Sequence, residues 1–169
     1  AFTGLHRLEY GLWHGQSAAA LLPVVTTLAA DVATVRSTLT TDDEAGDPTQ
    51  LPLRAHEIVE DALRDHLSGS DDQGSGQAYA LTYADTQVDE VVLGELAPLI
   101  DVRSPHLVAT ARAQLARLRA ALDAAKVDGR WVAPRSTPLA ARQDVNAAIR
   151  ALLETLADVP TLLEVPPTP

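Results

Sequence analysis

Apolar residues recur at intervals of three and four over most of the chain, the spacing that places them on one face of an α-helix. The pattern predicts six helices joined by short polar connections. Their predicted bounds are 2–14, 17–40, 51–67, 78–100, 106–126 and 139–159. No segment alternates apolar and polar residues as a strand does, so we predict an all-α, antiparallel helical bundle.

The same spacing predicts which side of each helix faces the core. For the fourth and fifth helices the predicted inward residues are Val88, Val91, Val92, Leu96 and Leu99, and Leu107, Ala111, Leu115, Leu118 and Leu122. The connections are predicted as an acidic loop over 40–50 and a flexible Ser/Gly-rich loop over 68–77. We therefore expect one helical-bundle domain over 1–160, followed by a Pro-rich tail over 161–169.

Composition narrows the function classes. The chain has 169 residues, of which 46% are hydrophobic and only 4% aromatic, so that Leu, Ala and Val must fill the core. The formal net charge of -10 disfavours nucleic acid as a partner. The lack of cysteine excludes disulfides, zinc–thiolate sites and cysteine nucleophiles. No run approaches the roughly 18 apolar residues of a membrane helix, so no transmembrane segment is expected.

The strongest candidate chemistry lies in the first helix, which contains the pattern G-x-H-x-x-E at Gly4, His6 and Glu9. Residues three apart lie on the same face of a helix, so the imidazole and the carboxylate can converge on one ion. The neighbouring apolar residues form a stripe on the same helix, which predicts that the pair borders a core; they are Leu5, Leu8, Leu12 and Trp13. The alternative is an exposed polar pair, worth a few tenths of a kcal/mol, because H-x-x-E is common by chance.

A second group of polar residues lies in the third helix. His56 and Glu60 share one face, and Arg54, Glu57 and Asp61 share another. Only one face can look into the bundle, and the flanking apolar residues favour Glu57 as the inward acid with Arg54 as its partner. The alternative is a solvated, charged helix face.

Other catalytic or binding patterns are missing or ambiguous. Neither H-E-x-x-H nor G-x-S-x-G occurs, and Gly74-Ser75-Gly76 lacks the strand and the lysine of a phosphate loop. Asp85 and Asp89 are separated by one helical turn and repel each other. A bound cation would relieve this repulsion, and an exposed helix face would explain it equally well.

The segment 4–13, GLHRLEYGLW, resembles the signature of imelysin-like proteins, and its wording is closest to the EfeO/EfeM branch of iron-uptake proteins. Four further segments resemble actinobacterial members of that branch, so that the resemblance covers nearly the whole chain. They are 51–61, 72–76, 96–100 and 128–131.

The resemblance implies an extracytoplasmic helical bundle, periplasmic or held at the cell surface by a lipid anchor. It implies a metal ion, iron in the first place and zinc or copper otherwise, bound by His6 and Glu9. Glu57 and, with less support, His56 are the further candidate ligands. The expected partner is the membrane iron permease of the uptake system.

Family members usually carry helical sequence before the signature, and here only residues 1–5 precede His6. We therefore expect a bundle that lacks its N-terminal helical segment, which a homodimer could replace. Relatives also tend to carry an acid near Gln87, where the nearest acids of this chain are Asp85 and Asp89.

The sequence thus predicts a metal-binding component of an extracytoplasmic iron-uptake system. Two alternatives stay open: a metal-independent binding module at the cell surface, and a metallopeptidase. The peptidase label of the wider family implies the second, but no convincing catalytic constellation accompanies it, so an enzyme is not expected.

Overall fold

The computed structural model describes residues 2–39 and 47–163, and the chain divides into two compact units. The first unit comprises Ala1–Asp47 together with Asp71–Gly76. The second comprises Pro48–Ser70 and Gln77–Pro169. A short loop of the later sequence therefore belongs to the unit that contains the N-terminal helices.

The first unit is built from α1 (Gly4–Trp13) and α2 (Ala18–Thr38), which pack against each other. Ser17 caps α2, its side chain accepting the backbone N–H of Ala20 at 3.3 Å. The two helices approach closely at Gly11, where an added Cβ would lie 2.2 Å from Cδ2 of Leu21. The lack of a side chain at Gly11 therefore permits this packing.

The second unit contains the other helices of the described residues, and they form a bundle. In it α5 packs against α4 and α6, and α3 packs against α4, α6 and α7. These helices are α3 (Leu51–Asp61), α4 (Ala78–Asp101), α5 (Leu107–Ala124), α6 (Leu139–Leu156) and α7 (Asp158–Leu162). The described residues contain no strand, which confirms the prediction of an all-α helical bundle.

The core of this bundle is aliphatic, as the composition predicts. The predicted inward face of α5 is confirmed, because Leu107, Ala111, Leu115, Leu118 and Leu122 are all buried. Leu93, Ile100, Ile149, Leu152 and Leu156 are among the other fully buried side chains. Each fully buried Leu or Ile stabilises the fold by roughly 1.5–3 kcal/mol relative to an exposed one.

The predicted inward face of α4 is wrong in part. Val92 and Leu96 are buried, but Val88, Val91 and Leu99 are 50%, 64% and 53% exposed. Apolar residues lie on almost every side of α4, so that spacing alone does not single out one face. The buried side carries polar groups instead, namely Thr82, Thr86 and Asp89.

The third predicted helix ends differently from the prediction. After Asp61 the helix widens into one π-helical turn, Ala62–His66, in which the N–H of Leu67 donates to the carbonyl of Ala62 at 2.9 Å. Of the predicted acidic loop, residues 40–46 lie outside the described residues. The same holds for residues 164–169 of the predicted tail, and α7 extends over its first residues.

Helix α2 is long and apolar, and an 18-residue segment of it has a mean hydropathy of 1.8. It meets the length and composition criteria for a membrane-crossing helix, which N-terminal signal sequences and core helices also meet. This property is compatible with an extracytoplasmic location. The expectation that no segment of the chain spans a membrane stays a prediction.

Candidate metal-binding site

The His–Glu pair of α1 adopts a geometry that suits a shared ion. Nδ1 of His6 lies 3.7 Å from Oε2 of Glu9, and the two side chains are 57% and 20% exposed. Two ligand atoms bound to one ion at about 2.0–2.2 Å each lie roughly 3–4 Å apart. The helix begins at Gly4 with a φ of +75°, a conformation that favours glycine at this position of the motif.

The loop 71–76 holds the second oxygen of Glu9. The backbone N–H of Ser75 donates to Oε1 of Glu9 at 3.1 Å. Asp72 fixes the loop, since its Oδ1 accepts the N–H groups of Gly74 at 2.8 Å and Gly76 at 3.0 Å. Oε1 is therefore occupied by the loop, and Oε2 is the oxygen that faces His6.

The sequence predicts a flexible loop over 68–77, and within it residues 72–76 form a hydrogen-bonded turn against α1. Gly74 has a φ of +125°, and a Cβ on it would lie 2.9 Å from Cβ of Trp13. Backbone conformation and close approach to α1 thus both require glycine. The signal for this turn is the D-x-G-x-G spacing of Asp72, Gly74 and Gly76, which suits an Asx turn with left-handed glycines.

The other two candidate ligands, His56 and Glu57, lie on α3 in the second unit. Glu57 forms an ion pair with Arg54, as the sequence predicts, and its side chain is 31% exposed. Nδ1 of His56 lies 3.6 Å from Oε2 of Glu60. Each residue is thus paired within its own helix, and its role as a metal ligand stays a prediction.

Two residues of α1, His6 and Glu9, would supply only part of the ligands of a metal site. Within residues 2–39 and 47–163, no three His, Asp or Glu side chains gather closely enough to hold a metal ion. His6 and Glu9 offer one nitrogen and one oxygen, a borderline-to-hard donor pair that suits iron, zinc or copper. The remaining coordination positions would go to water or to another molecule.

A buried acid in the second unit is not explained by either candidate site. Asp89 of α4 is fully buried, and neither of its carboxylate oxygens has a hydrogen-bond partner. Burial, reinforced by the negative charge of Asp85 and opposed by Arg119, raises the pKa of Asp89 to about 8. The exposed face considered for this pair is therefore wrong for Asp89, which is buried as a neutral acid near pH 7.

Asp85 has a partner that the sequence did not indicate. Nε2 of His66, at the end of the π-helical turn, lies 3.3 Å from Oδ2 of Asp85. The side chains are 22% and 27% exposed, so the pair lies at the edge of the core. The wider turn therefore places His66 against α4.

The described residues thus form a helical protein with a candidate N/O metal site in its first helix. In that site the loop 71–76 donates a hydrogen bond to Glu9, which lies beside His6. The family model for imelysin, Peptidase_M75, matches residues 1–159, and the chain belongs to the imelysin family. No curated protein matches the chain. The matched range includes residues of both units.

Proposed function

We propose that this imelysin-family protein binds iron as cargo through His6 and Glu9, as the extracytoplasmic component of an EfeO/EfeM-type uptake system. The observation that supports the proposal most directly is that the two carboxylate oxygens of Glu9 have different contacts. One carboxylate oxygen accepts the N–H of Ser75, and the other lies 3.7 Å from the imidazole nitrogen of His6. Carboxylates that ligate metals are commonly oriented by such outer hydrogen bonds.

The exposure of the pair supports a cargo site. The side chain of His6 is 57% exposed, so that an ion held there can be reached by water and by a receiving protein. Two ligands from the protein also leave exchangeable positions, which transfer requires and which a closed structural site lacks. The receiving protein in this proposal is a membrane iron permease, and the apolar helix α2 is compatible with the location outside the cytoplasm.

The experiment is a calorimetric titration of Fe(II), under anaerobic conditions, and of Zn(II) and Cu(II) into the wild type and two variants. His6→Ala removes the nitrogen ligand. Glu9→Gln removes the charge but keeps an oxygen that can accept the N–H of Ser75. We expect saturable binding in the wild type, with affinity reduced more than the roughly 10–100-fold typical of outer-sphere changes in both variants.

His106→Ala is the matched control, because His106 is exposed and lies in the second unit, at the start of α5. It should bind each metal as the wild type does. An equal loss of affinity in His106→Ala and His6→Ala would show non-specific binding to imidazoles. Affinity unchanged in His6→Ala would overturn the proposal.

A further inference from the structure

The His–Glu pair of α1 is about half of the donor set that a protein metal site usually contains. Structural and catalytic zinc sites use three or four protein ligands. His6 and Glu9 supply two, and in the described part of the chain no third His, Asp or Glu lies close enough to complete a site. Any further protein ligand therefore comes from outside these residues, and a second copy of the chain is one source.

The side of α1 that carries this pair also exposes apolar side chains. Leu5 lies four residues before Glu9 and Leu12 three residues after it, so both share a helix face with Glu9. Leu5 is 70% exposed and Leu12 is 57% exposed. Phe2, one turn before His6, is 53% exposed. These five residues, Phe2, Leu5, His6, Glu9 and Leu12, are called the outer surface of α1 below.

The outer surface of α1 lies on the side of the helix that faces away from α2. Gly11 marks the side that packs on α2, because a Cβ at Gly11 would meet Leu21. With 3.6 residues per turn, Glu9 lies about 160° from Gly11 around the helix axis. The loop 71–76 contacts this side at Trp13 and at Oε1 of Glu9, and the exposed leucines have no comparable cover. Covering such an apolar surface is favourable.

A second copy can supply the missing ligands and cover the leucines in one contact. In a two-fold contact the same surface occurs on both sides, so the outer surface of one copy meets that of the other. Two His–Glu pairs then converge, with two imidazole nitrogens and two carboxylate oxygens. These are the four ligands of a tetrahedral zinc site, and on iron the same set leaves open positions.

Charge favours this contact only when an ion is bound. Each chain has a formal net charge of -10, and a net charge far from zero keeps copies apart. One Glu9 carboxylate neutralises half the charge of a divalent ion, whereas the two carboxylates of a pair of copies neutralise all of it. We therefore expect the chain without metal to be a monomer.

We propose that a divalent metal ion joins two copies of this chain across the outer surface of α1, with His6 and Glu9 of both copies as its ligands. This inference rests on the proposed function, since it uses the same His–Glu pair. It adds that one ion is shared by two chains and that the contact depends on the ion. Dissociation of the two copies exposes the ion to a receiving protein.

The test is sedimentation velocity of the full chain in EDTA and during a titration with zinc chloride, with zinc measured in the sedimenting species. We expect the monomer mass of 17.9 kDa in EDTA, and twice that mass with one zinc per two chains. One zinc per chain on a protein that stays monomeric would overturn this inference and leave the proposed function standing. No binding of zinc or iron would overturn both.

A double variant separates the contact from the ligands. Leu5→Gln with Leu12→Gln removes the exposed leucines and keeps the His–Glu pair, and it should weaken zinc-dependent dimerisation at least about tenfold. Leu22→Gln with Val25→Gln is the matched control, because these residues of α2 are 64% and 42% exposed in the same unit. It should change dimerisation less than about twofold.

His6→Ala should abolish the zinc-dependent dimer, because it removes one ligand from each copy. A zinc-dependent dimer that persists both in His6→Ala and in the Leu5/Leu12 variant would show that another surface joins the copies, and would overturn the inference. A dimer of equal strength in EDTA and in zinc would also contradict it.

Discussion

Replacing Asp89 with asparagine is expected to stabilise the protein at pH 8 by several kcal/mol and to change its stability little near pH 4. The pKa of Asp89 is raised from 3.8 to about 8 by burial, so the folded state keeps a proton that the unfolded chain loses. The free energy of unfolding of the wild type should therefore decline between these pH values, by about 1.4 kcal/mol per pH unit from this group.

The sign follows from where each state binds the proton. Below pH 3.8 the acid is protonated in both states, and its contribution to stability is fully present. As the pH rises through the folded pKa of about 8, that contribution is lost, because the carboxylate would have to ionise without a hydrogen-bond partner. Asparagine carries no proton to lose, so its stability lacks this component of the pH dependence.

The measurement is urea unfolding of the wild type and Asp89→Asn at pH 4, 5, 6, 7 and 8. The difference between the two proteins cancels all other titrating groups and isolates Asp89. Asp144→Asn is the matched control, since Asp144 is an exposed acid of α6, and its difference from the wild type should stay within about 0.5 kcal/mol. If the free energies of unfolding of the wild type and Asp89→Asn changed with pH in parallel, Asp89 would not be a buried neutral acid.

Replacing Gly74 with alanine is expected to destabilise the loop 71–76 by about 2–4 kcal/mol and to weaken metal binding. A φ of +125° is rarely adopted by alanine, and its Cβ would lie 2.9 Å from Cβ of Trp13, an atom next to the backbone of α1. The loop must shift to relieve both conflicts. Ser75 would then no longer donate to Glu9, and Glu9 would lose its fixed orientation.

Hydrogen exchange of the Ser75 amide measures the loss of this hydrogen bond directly, because that N–H donates to Oε1 of Glu9. We expect faster exchange at Ser75 and a weaker affinity for metal in Gly74→Ala. Gly94→Ala makes the same substitution within α4, where the nearest atom to the new Cβ is 3.9 Å away. It should stabilise its helix by about 1 kcal/mol and leave both readouts unchanged.

If the Ser75 amide exchanges at the same rate in Gly74→Ala and in the wild type, the loop does not hold Glu9 in the way described. A loss of overall stability without any change at Ser75 would point instead to the packing against Trp13 alone.

The long helices were predictable because local signals in the sequence encode them, whereas the separate short helix α7 and the π-helical turn were not predicted. The spacing of apolar residues places α5 and α6 within a few residues of their observed bounds, and it predicts the buried face of α5 correctly. Pro52 lies in the first turn of α3, a position where its missing N–H costs nothing. These signals act within a few helical turns and need no knowledge of the tertiary structure.

The face of α4 could not be predicted in the same way. Its apolar residues surround the helix, and the buried side contains Thr82, Thr86 and Asp89, which a hydropathy pattern assigns to the surface. What decides the outcome is the packing of α4 against α3 and α5, which is a long-range property. A hydropathy pattern therefore gives no signal for the burial of Asp89.

Half of the candidate metal site was encoded locally, and half was not. The spacing of His6 and Glu9 on one helix already places them together. The hydrogen bond from Ser75 to Glu9 joins residues 66 positions apart, and no periodicity reports such a contact. The D-x-G-x-G turn could have been recognised from the sequence, but not the side chain that it supports.

The most direct test of the proposed metal site is a zinc titration of the protein labelled with ¹⁵N-histidine, followed at the ring nitrogens of its five histidines. Zinc is diamagnetic, and a ligating ring nitrogen shifts on binding it. We expect saturable shifts at Nδ1 of His6, with His14, His66 and His106 unchanged, and loss of the effect in Glu9→Gln. If zinc shifts another histidine and leaves His6 unchanged, or shifts none, the assignment of the metal site to His6 and Glu9 is wrong.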